Sequence, residues 1–189
     1  AYDVKLPIKF PHGQIIEDSP LDSSYLSYII TGGNQYQTNA VECLKELSQY
    51  FEIVVFTASH GCYANVVLDY LDPREQYVHH RLFRESCVQT PEGIYIKDLR
   101  ILANRELSDV VLVDNAAYSF GYQIENGIPI IPFYYNKKDQ ELRHLVTYLK
   151  SLVNVKDLRE EIRQTFKFHR FTEFDSSDKL MEKIVTSAL

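Results

Sequence analysis

Two apolar runs of strand length, each ending abruptly in oxygen-bearing side chains, constrain this chain more than any other feature. The first, Phe51 to Ser59, reads F-E-I-V-V-F-T-A-S, and the second is Val110-Val111-Leu112-Val113 followed by Asp114-Asn115. A half-exposed strand would alternate apolar with polar residues, so unbroken runs such as Ile53-Val54-Val55-Phe56 predict parallel strands buried on both faces. In an open α/β sheet ligands bind beyond the carboxyl ends of the strands, which puts Thr57, Ser59, Asp114 and Asn115 around one expected site for a small anion. The strands at 52–56 and 110–113 are expected side by side in one parallel sheet, with Thr57 and Asp114 at the same end.

The surrounding sequence supplies the rest of a doubly wound domain. Val41, Leu44 and Leu47 recur at helical spacing, with Thr38 or Asn39 as a cap. After the first strand, Ser59 is expected to cap a helix whose inner face is Ala64, Val67, Leu68 and Leu71, closed by Asp72-Pro73. Strand, helix and strand in this order predict a βαβ unit. Between the two strands, Pro91-Glu92-Gly93 turns one short strand into another, a small hairpin insert near 86–96. Downstream, a short helix near 118–123 and a strand at 128–131 are expected. Leu142, Leu145, Val146, Leu149, Leu152 and Val153 mark a core-facing helix, and Leu158, Ile162 and Phe166 mark another.

Upstream, Val4, Leu6, Ile8 and Phe10 alternate, Pro7 places that strand at an edge, and Pro11-His12-Gly13 turns it into Gln14-Ile15-Ile16 as a hairpin. Residues 17–39 show no sustained period and are expected to be a loop. A domain over residues 1–170 and a tail or helix over 171–189 follow from this pattern.

At 189 residues a single domain can bury a substantial core without disulfides. The three cysteines, Cys43, Cys62 and Cys87, form no C-x-x-C pair, which fits a reducing compartment. A net charge of −6 without a basic block argues against a general nucleic-acid or anionic-membrane binder. No apolar stretch reaches the length of a membrane helix. The adjacent His79 and His80 point apart on most backbones, with no third ligand in view, and are expected as surface or groove residues.

F-T-A-S at 56–59, R-L-F-R-E-S-C-V at 81–88, Y-I-K-D-L at 95–99 and L-V-D-N at 112–115 together resemble the small carboxy-terminal-domain phosphatases. These phosphoserine phosphatases, which act on the RNA polymerase II tail and related substrates, are a branch of the haloacid-dehalogenase superfamily. The resemblance spans roughly residues 2–170 and implies a haloacid-dehalogenase-like, Rossmann-like parallel sheet with a β-hairpin insert. It also implies Mg²⁺-dependent protein dephosphorylation through an aspartyl-phosphate, with a phosphoprotein or peptide as partner and a nuclear or cytoplasmic location, the mitochondrion being the alternative. On this resemblance Thr57 orients the phosphate and Lys97 neutralises it. Asp114 and Asn115 position Mg²⁺, and Tyr63 and Arg84 line the phosphopeptide groove.

The family's first motif, D-x-D at the end of an apolar strand, is absent from this chain. Asp18 and Asp22 have the wrong spacing and follow no buried strand. By family order the motif is expected upstream of Ala1. Two readings follow: a working phosphatase whose nucleophile lies outside these residues, or a pseudophosphatase that keeps the fold as a binding or scaffold module, in the manner of the mitochondrial import receptor that shares this domain.

Overall fold

The computed structural model describes residues 8–9, 15–16, 39–133, 136 and 138–171. The expectations for the loop over 17–38, for the tail over 172–189, for the Pro11-His12-Gly13 turn and for Val4, Leu6 and Phe10 of the first strand lie outside them. Strands β1 (Ile8–Lys9) and β2 (Ile15–Ile16) pair antiparallel with Ile8 opposite Ile16, the hairpin anticipated from the Pro-His-Gly turn.

Helix α1 (Ala40–Leu47) is followed by β3 (Val54–Phe56), α2 (Gly61–Leu71) and β4 (His80–Leu82). β3 and β4 pair in parallel, with Val54 opposite His80 and Phe56 opposite Leu82, so these elements form the expected βαβ unit. The hairpin insert is β5 (Val88–Gln89) against β6 (Tyr95–Ile96), turned at Gly93, whose φ of +84° is readily adopted only by glycine. β7 (Leu112–Asp114) is buried along its whole length, as the unbroken apolar run requires, and pairs in parallel with β8 (Gly127–Pro129). Two 3₁₀ turns, Ala117–Phe120 and Ile124–Asn126, replace the single short helix expected there. Gly127 is required because a β-carbon on it would run into the ring of the fully buried Phe120.

Helices α3 (Glu141–Ser151) and α4 (Leu158–Phe166) complete the layers. Three helices bury the same rhythm, i, i+3, i+4 and i+7: Ala40, Cys43, Leu44 and Leu47 in α1, Ala64, Val67, Leu68 and Leu71 in α2, and Leu142, Leu145, Val146 and Leu149 in α3. Together with Val55, Val113 and Ile128 from the strands these side chains form one core. Each buried aliphatic side chain contributes about 1.5–3 kcal/mol of transfer free energy. α1 packs on α3, and Lys150 bridges to Glu46 across the pair at 2.8 Å.

Three local expectations change. Among the described residues β3 pairs with β4 and β7 with β8, so the expected side-by-side pairing of β3 and β7 is not observed there, and a cleft of about 660 Å³ lies between them. An apolar run announces that a strand is buried but carries no information about which strand lies beside it. The residue preceding α2 is His60, so Ser59 does not cap that helix, and its buried hydroxyl has no hydrogen-bond partner. Asn39 does precede α1, but its side chain makes no capping bond.

Asp72 does more than close α2. Only 1% exposed, it accepts hydrogen bonds from the N–H groups of Gln76, Tyr77 and Val78 at 2.8–2.9 Å and so fixes the turn that aims the chain into β4. Burial opposes its ionisation, yet the three donors hold its carboxyl below the usual aspartate value. Asp72→Ala strands three donors and is expected to cost about 3 kcal/mol in urea unfolding, with Asp72→Asn losing about half as much.

Candidate functional site

The site grows from the carboxyl ends of β3 and β7. Thr57 extends β3 by one residue, its N–H donating to the Leu82 carbonyl at 2.9 Å, and it is fully buried. Its hydroxyl accepts from the Ser59 N–H at 3.1 Å, which folds T-A-S into a tight turn before α2. Arg84 secures that turn from outside: its N–H donates to the Ser59 carbonyl at 3.0 Å and its Nε to the Ala58 carbonyl at 2.6 Å. The guanidinium also lies 2.9 Å from His60 Nε2 and 5.1 Å from the centre of the Tyr95 ring. Arg84 is thus held rigidly beside the turn by backbone oxygen and an aromatic face.

Lys97 follows β6 directly. Its N–H donates to the Ser119 carbonyl at 2.8 Å, which locks the end of the hairpin insert onto the turn after β7. Its ammonium donates to Asp114 Oδ2 at 2.5 Å, and both side chains are almost completely buried, 2% and 3% exposed. Asp114 Oδ1 accepts from the Ala116 N–H at 2.8 Å. Burial pushes the Lys97 ammonium below the ordinary lysine value, and Asp114 works in the opposite direction. A charge removed from water this thoroughly is tolerated only because its partner is in contact with it.

Cys87 joins the two strand ends. Its thiol lies 3.8 Å from the Thr57 carbonyl, and burial raises its pKa while Lys97 and Arg84 pull it down. The Thr57 turn and the Lys97–Asp114 pair therefore occupy one locality. Asn115 is half-buried beside Asp114, and Tyr63 packs against the main core from α2. The structure thus gathers Thr57, Arg84, Lys97 and Asp114 around Cys87, at the carboxyl ends of β3 and β7. His79 and His80 lie at the opposite end, where His79 Nδ1 accepts from the Ile53 N–H and His80 contacts Glu52.

Sequence reasoning missed Cys87, although it sits inside the R-L-F-R-E-S-C-V motif, because a lone half-buried cysteine has no periodic signature. It also missed Gln123, whose amide donates to Asp98 Oδ1 at 3.0 Å and accepts from the Leu99 N–H at 2.9 Å. Gln123 pins the segment following Lys97 from a position far away in sequence.

Chemically, the arrangement presents a buried cation, a hydroxyl and a guanidinium around the carboxyl ends of β3 and β7, groups of the kind that hold a tetrahedral oxyanion. Among the described residues no group of three or more His, Cys, Asp or Glu side chains could hold a metal ion. Asp114 and Asn115 alone fall short of the octahedral oxygen shell that Mg²⁺ demands.

A family model described as NLI interacting factor-like phosphatase matches residues 30–159, more than half of the chain. CTD small phosphatase-like protein 2 of Dictyostelium discoideum is 41% identical over 158 residues, covering 80% of this chain and 27% of that protein. CTD small phosphatase-like protein 3 of Caenorhabditis elegans is 42% identical over 134 residues, covering 70% and 46%. The Homo sapiens carboxy-terminal domain RNA polymerase II polypeptide A small phosphatase 1 is 38% identical over 123 residues, covering 65% and 46%. The chain therefore spans between about a quarter and a half of the length of these relatives. Among solved structures, the fission yeast RNA polymerase II CTD phosphatase Fcp1 aligns with a TM-score of 0.47 at 15% identity, over 81% of this chain and 46% of that one.

Two outcomes test the electrostatics. Lys97→Met leaves the Asp114 carboxylate buried without its cation and is expected to cost about 3–5 kcal/mol, most of which Lys97→Met/Asp114→Leu should restore. Asp98, bonded by the Arg100 side chain, has its carboxyl lowered to about 2. A depressed carboxyl stabilises the fold above its unfolded value, near 3.8, and that stability disappears as pH falls through about 2. Asp98→Asn should therefore remove on the order of 1 kcal/mol at pH 7, after solvent screening, and match the wild type below pH 2.

Proposed function

This chain belongs to the NLI interacting factor-like phosphatases, and we propose that its described site is the phosphate-holding half of a Mg²⁺-dependent protein serine/threonine phosphatase of the haloacid-dehalogenase superfamily. The observation that carries the reading is the Lys97 ammonium buried against Asp114 at the same sheet end as Thr57 and Arg84. A lysine kept out of water beside one carboxylate is expensive as mere structure, and a hydrophobic pair of similar volume would serve stability at least as well. Its retention beside a hydroxyl-bearing turn suits a pocket that must neutralise a dianion.

In this reading Lys97 and the Thr57 hydroxyl hold the non-bridging oxygens of a phosphoserine or phosphothreonine. Arg84 and Tyr63 border the groove for the flanking peptide, such as the RNA polymerase II tail. Mg²⁺, when bound, would neutralise charge on the transferring phosphoryl group, with Asp114 and Asn115 as a minority of its oxygen donors. Those two residues do not satisfy the ion's oxygen shell by themselves. The attacking carboxylate would come from a D-x-D motif that the 189 residues lack. The second reading, a non-catalytic phosphopeptide-binding module, uses the same half-site and differs in never receiving a nucleophile. Nuclear or cytoplasmic residence accords with either reading.

Purified as the 189-residue chain, the protein should bind inorganic phosphate weakly without help from Mg²⁺ and hydrolyse neither an aryl phosphate nor a phosphoserine peptide. Thr57→Val and Lys97→Met/Asp114→Leu, checked for folding by circular dichroism, should weaken phosphate binding by about tenfold, the scale of one charge-assisted hydrogen bond. Equal affinity in these variants, or binding that strictly requires Mg²⁺, would sink the half-site. Turnover that vanishes in Asp114→Ala would reveal a nucleophile within the chain.

A further inference from the structure

The two segments that carry Lys97 and Asp114 continue past them into one exposed surface. Lys97 leads through Asp98 into the turn Leu99–Ile101, and Asp114 leads through Asn115 into the turn Ala117–Phe120. The segments are pinned together at three points. The Lys97 N–H donates to the Ser119 carbonyl at 2.8 Å, the Leu99 N–H to Gln123 Oε1 at 2.9 Å, and Gln123 Nε2 to Asp98 Oδ1 at 3.0 Å. Underneath, Leu99 and Phe120 are buried in one cluster with Leu112 of β7. On the outside the same stretches leave Ile101, Tyr118 and Tyr122 45%, 57% and 49% exposed.

Single exposed apolar side chains are ordinary on a protein surface, but three of them on two short segments locked to one base make a patch. Arg100 completes it. Its guanidinium lies 5.7 Å from the centre of the Tyr122 ring, and its side chain is 69% exposed. Asp98 takes Nε and Nη2, which leaves the Nη1 donors to meet an acidic group from outside. Tyrosine presents a large rigid area with only two side-chain torsions to fix, so ordering it on binding costs little. Distance ties the patch to the phosphate-holding groups. Its farthest members, Ile101 and Tyr122, lie four residues from Lys97 and three from Ser119, no more than roughly 14 Å of chain. An extended peptide rises about 3.3 Å per residue, so one anchored by a phosphoserine at Lys97 reaches the patch with its residues about three to five positions away.

We propose that Ile101, Tyr118, Tyr122 and Arg100 form a docking surface for the phosphoprotein substrate, which takes apolar residues about three to five positions from the phosphoserine together with an acidic residue beside them. The occupant is the substrate's own flanking segment, because the surface is continuous with the groups that hold the phosphate and shares their backbone supports. The inference deepens the phosphatase reading and rests on it for the phosphate that anchors the peptide. Tyr63 on α2 and Arg84 in the turn after β4 border the site from one set of elements, and this surface borders it from the segments that follow β6 and β7. A substrate is thereby selected by what lies several residues from its phosphate as well as by the phosphate itself.

The test compares two phosphoserine peptides and inorganic phosphate by calorimetric titration into the 189-residue chain. The short peptide is phosphoserine between two glycines. In the long one, two glycines, two leucines and a glutamate follow in that order on each side of the phosphoserine, so either chain direction can reach the patch. The long peptide should bind about tenfold or more tightly than the short one. Tyr118→Ser/Tyr122→Ser should remove most of that gain and Arg100→Gln part of it, while phosphate and the short peptide bind these variants as they bind the wild type. Tyr70→Ser, at a 46% exposed position on α2, should leave the gain intact. Equal affinity for the two peptides, a gain that survives Tyr118→Ser/Tyr122→Ser, or an equal loss in Tyr70→Ser would overturn the inference. The two claims separate in the same titrations. Phosphate and short-peptide binding with no gain from the long peptide removes the docking surface alone. Long-peptide binding that depends on the two tyrosines, without binding of phosphate or the short peptide, removes the half-site alone.

Discussion

The ion pair between Lys97 and Asp114 is the constraint around which the carboxyl end of this domain is arranged. Dehydrating an ammonium and a carboxylate costs several kcal/mol per ion, and only close contact with further hydrogen bonds brings that cost back toward balance. Each partner is therefore braced by its own backbone. The Lys97 N–H is bound to Ser119, Asp114 accepts from Ala116, and Ser119 and Ala116 belong to the chain that leaves β7. Gln123 holds Asp98 and Leu99 so that the residues after Lys97 cannot drift. Positions that look incidental one at a time become a frame for one buried contact.

Much of this was legible in the residues. The helical rhythm identified the buried face of α2 and most of that of α1 and α3, because a 3.6-residue period leaves only one face for the core, but Val41 and Val153, counted with it, are 38% and 40% exposed. Pro91-Glu92-Gly93 announced the hairpin insert, because a positive φ at Gly93 is chemically signposted. The polar ends of the two apolar runs marked Thr57 and Asp114, both of which the structure buries. What stayed hidden depended on contacts between distant segments. The side-by-side placement of β3 and β7 failed because strand character does not encode neighbours. Ser59 failed as a cap because the turn is organised by the Thr57 hydroxyl and by Arg84, so the helix begins one residue later than its hydroxyl signal. Asp72 read as a simple helix terminator, but the three amides that it collects lie beyond Pro73, in sequence without a pattern of its own.

Family membership and geometry act at different levels here. The match over residues 30–159 says what kind of protein this is, while the contacts say which parts of the chemistry these residues can perform.

The packing of α1 against α3 has a consequence for synthesis. Glu46 and Lys150 meet across that interface although 104 residues separate them. At translation rates of about 5–20 residues per second, the apolar face of α1 waits roughly 5–20 seconds before α3 has been made. During that interval α1 lacks the part of its native cover that α3 supplies. The α1–α3 contact is therefore among the late ones to form as the chain is made.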